Sequence, residues 1–199
     1  STPLRHDMPA ALYACYAVAN AGYLYVMGGY DANDDAVNTV YRLCLKTEKW
    51  TTMAPMSTAQ GFFAAVLKDN SIYVFGGFND EDLDLSSTER YSIANNTWED
   101  LPYMQLGFSG YCAISITCNE IYIVGGGTIC SVDVFDTGSS LTWKTPTYLR
   151  HMPEERQYAA TVVLKKKYLV AIGGFDEDNA VTADCFIYDI WCNRWSSTP

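Results

Sequence analysis

The stretch Ser71–Asp80, SIYVFGGFND, runs from β-branched and aromatic residues straight into two glycines, another aromatic ring and an acidic turn. Adjacent glycines weaken a strand, because glycine loses more backbone freedom on folding than any other residue. A pair placed at the end of an apolar run therefore marks a point where geometry requires it. The arrangement recurs in YLYVMGGYDANDD (Tyr23–Asp35), EIYIVGGGTICS (Glu120–Ser131) and YLVAIGGFDEDNA (Tyr168–Ala180). The first glycines of the four pairs, Gly28, Gly76, Gly125 and Gly173, are spaced by 48, 49 and 48 residues. Four copies at one period span nearly all of the 199 residues, which is the signature of a repeat architecture.

The second copy reads as four strands. GFFAAVLK (Gly61–Lys68) is a short apolar run, Asp69-Asn70 has turn chemistry, and SIYVFGG is a second run. A polar loop follows, STERYSIAN (Ser87–Asn95) alternates, and Asn95-Asn96 turns the chain into TWEDLPYM (Thr97–Met104). No copy has the length and 3.6-residue period of a helix, so the chain reads as all-β. One such meander cannot bury both of its faces, so neighbouring sheets must stack. Stacked in a ring they make a propeller, with blades at about 8–56, 57–104, 105–150 and 151–199.

A tryptophan follows the second glycine by 21 residues in three copies, at Trp50, Trp98 and Trp195, and by 17 in the third, at Trp143. Leu43, Tyr91 and Tyr188 precede the tryptophan by seven residues, and Phe135 precedes Trp143 by eight. These large side chains read as wedges between blades.

The doublet, the aromatic and the tryptophan at a period near 50 together resemble the kelch repeat, over about residues 8–199. Leu43, where the family usually has tyrosine, and the short third copy GGGTICSVDV depart from the pattern. The resemblance implies a kelch-type β-propeller. It assigns Gly28, Gly29, Gly76, Gly77, Gly125, Gly126, Gly173 and Gly174, with Trp50, Trp98, Trp143 and Trp195, to the framework. In such blades the doublet ends the second strand at a crowded place. Kelch propellers usually have more than four blades. The four copies therefore either close on themselves or form part of a larger propeller, and the second is the stronger expectation. An open arc would expose a blade face at each end and invite self-association.

Composition narrows the partners. The net charge is -10, with 23 acidic against 13 basic residues, which argues against nucleic acid or an anionic membrane. Seven cysteines, an odd number with no C-x-x-C, favour a reducing, cytoplasmic home. Residues 10–30 are uncharged and long enough to span a bilayer. The same segment of the second copy carries Lys68 and Asp69 at its middle, so Ala21-Gly22 reads as a hairpin turn instead.

The loops after the doublets are the most charged parts of each copy, and the resemblance implies that they and the loops between blades line a partner-binding face. Tyr30, Asp31, Asn33 and Asp34 in copy one, Phe78, Asp80, Glu81 and Asp82 in copy two, and Phe175, Asp176, Glu177 and Asp178 in copy four form an acidic rim with aromatics at its base. That rim suits a protein or peptide with a basic segment. The connections PLRHDMP (Pro3–Pro9) and YLRHMPEER (Tyr148–Arg156) carry the opposite sign, and Arg150, His151 and Arg156 join the candidate set while His6 is the chain's other histidine.

No cofactor or metal is assigned. Asp31-x-Asn33-x-Asp35 and Asp80-x-Asp82-x-Asp84 begin like a calcium loop but have Ala36 and Leu85 at the sixth position and Arg42 and Tyr91 at the twelfth. A copper-radical oxidase needs histidines and tyrosines brought together, and no catalytic triad or phosphate-cradling motif stands out. The expected role is a protein-interaction module, with substrate recruitment for a BTB-linked ubiquitin ligase as the family analogy. A structural or cytoskeletal scaffold is the alternative, and a propeller enzyme of the copper-oxidase or sugar-epimerase type comes last.

Overall fold

The computed structural model describes residues 7–81, 83–107, 109–126, 130–138, 140–144 and 151–197. His6, Asp82 and Arg150, singled out above, lie outside these residues. The described strands form four sheets of four. Blade one holds β1 (Tyr16–Asn20), β2 (Tyr23–Met27), β3 (Val40–Cys44) and β4 (Lys49–Thr52); blade two holds β5 (Ala64–Lys68), β6 (Ser71–Asn79), β7 (Leu83–Ser92) and β8 (Thr97–Leu101). Blade three holds β9 (Cys112–Thr117), β10 (Glu120–Val124), β11 (Val132–Asp136) and β12 (Thr142–Lys144). Blade four holds β13 (Ala160–Leu164), β14 (Tyr168–Ile172), β15 (Cys185–Asp189) and β16 (Arg194–Ser197). Strands within a blade follow chain order and pair antiparallel, and no helix occurs among the described residues.

Local chemistry explains the hairpins. The two-residue turns Ala21-Gly22 and Asp69-Asn70 have positive φ at both positions, 46° and 84° in the first and 49° and 59° in the second. That is the backbone twist a tight antiparallel hairpin requires.

Alternation along the second strand of each blade builds the core. In β6, Ile72 and Val74 pack with Val18, Tyr25 and Met27 of blade one, while Tyr73 and Phe75 pack with Ile121 and Ile123 of blade three. In β10 the intervening Tyr122 and Val124 face Leu169 and Ala171 of blade four. A strand buried on both faces needs a continuous apolar run rather than an alternating one, and this is why SIYVF and EIYIV contain so few polar residues. No comparable cluster joins blade four back to blade one among the described residues, and Val162, Leu164 and Ile172 of blade four remain exposed.

Trp98, Trp143 and Trp195 pack against the first, second and third inter-blade clusters. The indole N–H of Trp98 donates to the Ala54 carbonyl at 2.9 Å, and that of Trp143 to the Pro102 carbonyl at 2.7 Å. Trp98 and Trp143 thus tie their blades to the connectors that lead into them. Tyr91, Phe135 and Tyr188 lie against these indoles at 5.0, 5.1 and 5.0 Å between ring centroids. Trp50 is half-buried and belongs to none of the three clusters.

The glycine doublets sit where two pieces of backbone approach each other. A Cβ on Gly28 would stand 2.6 Å from the Gln60 carbonyl oxygen, and one on Gly125 would stand 2.5 Å from that of Arg156. Both carbonyls belong to the segment leading into the next blade. The following amides, Gly29 and Gly126, donate to these same oxygens at 2.8 and 3.1 Å. The second glycine faces its own blade: a Cβ on Gly29 would meet the Tyr13 oxygen at 2.4 Å, on Gly77 the Gly61 oxygen at 2.8 Å, and on Gly174 the Gln157 oxygen at 2.4 Å. The expectation that the doublet ends the second strand holds for β2, β10 and β14 and fails in blade two. There β6 continues to Asn79, and the register shift between Phe75 and Gly77 absorbs Gly76.

Gly173 differs from Gly28 in one respect. Its φ of 61° is close to the 56° of Gly28, but a Cβ there meets only Thr182 of its own blade, at 3.3 Å. Gly173→Ala is expected to lose about 1 kcal/mol through backbone strain. Gly28→Ala adds overpacking against Gln60 and is expected to lose about 1–3 kcal/mol more. Urea unfolding of both variants measures the difference, and equal losses would show that the inter-blade contact is soft.

Candidate partner-binding face

Two of the acidic loops are folded by their own first aspartate. Asp31 Oδ1 accepts the N–H groups of Asn33 and Asp35 at 2.8 and 3.1 Å, which hold its carboxyl below the ordinary carboxylate value. In blade four, Asp176 Oδ1 accepts the N–H groups of Asp178 and Ala180 at 3.1 and 2.8 Å. In both loops this carboxylate oxygen shapes the turn. Asn33, Asp34, Asp35, Glu177 and Asp178 remain exposed at the tips.

Blade two departs further from the expected loop. Gly77 pairs with Leu85, Phe78 with Asp84 and Asn79 with Leu83, so β6 and β7 extend into the segment that composition marked as loop. Its Leu-Asp-Leu alternation is a strand pattern, with Leu85 buried and Asp84 exposed. Asp80 and Glu81 stand exposed at the tip of this longer hairpin.

Between the loops of blades one and two lies a cleft of about 350 Å³. Asp35 and Ala36 line it from blade one, Asn79, Asp80 and Glu81 from blade two, and Ser57, Thr58 and Ala59 from the connector between them. The connector is held by a buried carboxylate. Glu89 accepts the Ser57 N–H at 2.7 Å on Oε2 and the Thr58 N–H at 3.1 Å on Oε1. Burial pushes the Glu89 carboxyl up, and these two hydrogen bonds pull it back. Asn79 donates to the Ala59 carbonyl at 3.2 Å and Asn38 to that of Met56 at 3.0 Å, so both walls hold the floor.

The aromatics after the doublets take three different environments. Tyr30 is buried, donates to the Phe78 carbonyl at 3.0 Å, and has its hydroxyl pushed up to about 12, chiefly by burial. Phe78 is half-buried and Phe175 is exposed.

The basic connector residues divide. His151 is exposed and lines a separate cleft of about 500 Å³ with Cys192, Asn193, Arg194 and Trp195, beside the β15–β16 turn. That turn is at the end of β15 remote from the acidic loop of blade four. Arg156 is buried, contrary to the expectation that it faces a partner. Its guanidinium pairs with Glu154 at 2.8 Å and Asp184 at 3.4 Å and lies 4.8 Å from the centre of the Phe186 ring. An arginine enclosed in this way is framework.

Sequence reasoning passed over two further groups. Glu89 lies in an alternating strand where nothing distinguishes a buried carboxylate from a solvated one. Met56, Met104 and Met152 recur at intervals of 48, are buried, and donate their backbone N–H to the carbonyls of Asn38, Ser86 and Cys130 at 2.9, 2.8 and 2.8 Å. Their spacing was the available signal. Among the described residues no group of three or more His, Cys, Asp or Glu is placed to hold a metal ion.

Glu89→Ala removes both acceptors from the Ser57 and Thr58 amides and is expected to lose about 2 kcal/mol or more of stability. Glu89→Gln, which keeps one acceptor oxygen, is expected to lose less. Thermal unfolding of the two variants checks the order.

The KLHDC2/KLHL20/DRC7 Kelch-repeats domain matches residues 13–199. Kelch-like protein 40 of Mus musculus is 31% identical over 119 residues, 60% of this chain and 19% of that protein. Kelch repeat and BTB domain-containing protein 2 of Cowpox virus is 29% identical over 117 residues, 59% of this chain and 20% of that protein. Spermatocyte protein spe-26 of Caenorhabditis elegans is 28% identical over 199 aligned residues, 92% of this chain and 32% of that protein. The chain thus spans a fifth to a third of the length of these relatives. With four four-stranded sheets in chain order and a domain match over nearly its whole length, the chain belongs to the kelch-repeat family.

Proposed function

We propose that this chain is a rigid partner-binding domain whose recognition face is the acidic cleft between blades one and two, and that its partner presents a basic segment. The observation that carries this reading is the convergence of Asp35, Asp80 and Glu81 on one cleft whose floor is fixed by Glu89. Stacked sheets hold the two loops in place before binding, so little loop entropy is lost when a partner arrives. The excess of acidic residues speeds encounter with a cationic partner and disfavours nucleic acid and anionic membranes.

The kelch-like and BTB-containing relatives support a wider role. By the family analogy, which goes beyond what those names state, the proposed wider role is recruitment of a protein substrate to a cytoplasmic ubiquitin-ligase assembly. Seven unpaired cysteines suit a reducing compartment.

Fluorescence anisotropy with a labelled, lysine- and arginine-containing peptide tests the cleft. Binding is expected to weaken steadily with added salt. It is also expected to fall by about ten-fold or more, on the order of 1.4 kcal/mol, in the triple variant Asp35→Asn, Asp80→Asn, Glu81→Gln. An affinity that neither salt nor the triple variant changes would overturn the assignment.

A further inference from the structure

Four aromatic contacts join the entrances of blades one, two and four. Tyr13 stacks on Tyr30 at 5.3 Å between centroids, Tyr30 meets Phe62 at 5.9 Å, Phe62 meets Tyr158 at 5.9 Å, and Tyr158 meets Phe175 at 6.1 Å. Four of these five rings are open to solvent: Tyr13 is 47% exposed, Phe62 38%, Tyr158 48% and Phe175 37%. Large apolar side chains gathered in one exposed row mark an interaction surface.

The row rests on a rigid base. Ala14, Phe62, Gly110 and Tyr158 stand at intervals of 48 residues and have φ values of 51°, 54°, 73° and 55°. The Phe62 N–H donates to the Ala14 carbonyl at 3.1 Å, the Gly110 N–H to that of Phe62 at 3.0 Å, and the Tyr158 N–H to that of Gly110 at 3.0 Å. This ladder crosses from blade to blade and fixes where Phe62 and Tyr158 project. Gly110 makes their meeting possible, because a Cβ there would press on the Tyr158 ring at 3.1 to 3.2 Å.

Charge flanks both ends of the row. The Tyr13 hydroxyl donates to Asp34 Oδ1 at 3.0 Å. Desolvation first, then Asp34, and last the negative charges of Asp80 and Asp31 push the pKa of the Tyr13 hydroxyl up. At the other end Phe175 is followed by Asp176, Glu177 and Asp178, and the segments 30–38, 78–87 and 175–184 contain no Lys or Arg.

We infer that this row binds an extended peptide whose arginine side chains stack on Phe62 and Tyr158, drawn there by the acidic groups that flank the row at Tyr13 and Phe175. The inference rests on the basic-partner reading above and narrows it to arginine. Ring faces and nearby carboxylates match a guanidinium, which is planar and weakly hydrated and stacks while it hydrogen-bonds. The ammonium of lysine is compact and strongly hydrated and gains less from such a surface. The ring-to-ring steps approach the spacing of alternate side chains on an extended strand, about 6.6 Å. An Arg-x-Arg segment therefore places its two guanidinium groups over successive rings.

The test uses two labelled peptides of equal charge, one with arginine at positions i and i+2 and one with lysine at both, followed by anisotropy on the parent chain and on Phe62→Ala and Tyr158→Ala. The arginine peptide is expected to bind the parent at least ten-fold more tightly, and either ring substitution is expected to abolish that preference. Because both rings are exposed, the variants should melt like the parent. Should one fail to fold, the aromatic resonances of Phe62 and Tyr158 in the parent, followed by NMR during titration, give the same information, and unshifted resonances overturn the inference. Equal affinity for the two peptides, with dependence on Asp80 and Glu81 retained, overturns the arginine inference and leaves the acidic-cleft reading standing. Binding of neither peptide overturns both.

Discussion

The backbone carbonyls of the segments entering blades two and four, each seated where a side chain would stand on the preceding blade's first glycine, are the contact on which the rest of the structure depends. Gln60 plays this part for the Gly28-Gly29 pair and Arg156 for the Gly125-Gly126 pair, and in each case the second glycine's N–H binds the same oxygen. With blades held at backbone distance, Ile72, Val74, Tyr73 and Phe75 can serve two cores from one strand. The tryptophans and methionines then fill the space at the connectors. A larger residue at Gly28 or Gly125 would press on the segment entering the next blade and disturb the layers packed behind it.

From this frame the electrostatics of the exposed loops follow. Asp31 and Asp176 are used to fold their own loops, Glu89 to hold the connector, and Glu154 and Asp184 to accompany the buried Arg156. The carboxylates at the exposed loop tips are Asp34, which accepts the Tyr13 hydroxyl, with Asp35, Asp80 and Glu81 near blades one and two and Glu177 and Asp178 on blade four. A surface whose structural carboxylates are internally satisfied and whose remaining ones converge on a cleft is better suited to recognition than a uniformly acidic one.

Much of the fold was legible because the repeat enforces it. The period of the doublets, the paired apolar runs and the position of each tryptophan all follow from stacking identical sheets, and four copies make the pattern hard to mistake. The polar loop assigned to blade two failed because acidic composition concealed a strand pairing in which Leu85 is buried opposite Gly77. Arg156 was misread for a related reason: sign of charge is visible in a sequence, while enclosure by Glu154, Asp184 and Phe186 is not. Of the aromatic row, Tyr30 and Phe175 were legible as the rings that follow the doublets, while Tyr13, Phe62 and Tyr158 were not. Phe62 and Tyr158 lie two blades apart, and a sequence does not show that the rings meet or that Gly110 leaves room beside Tyr158.

Amide hydrogen exchange followed residue by residue tests the central contact most directly. The Gly29 and Gly126 amides, bonded to carbonyls of the next blade, are predicted to exchange as slowly as amides inside β2 and β10. Gly174, for which no next-blade carbonyl plays this part among the described residues, is predicted to exchange much faster. If Gly29 and Gly126 exchange as readily as an exposed loop position such as Asn179, the blades are not joined through their glycines and the account of the frame is wrong.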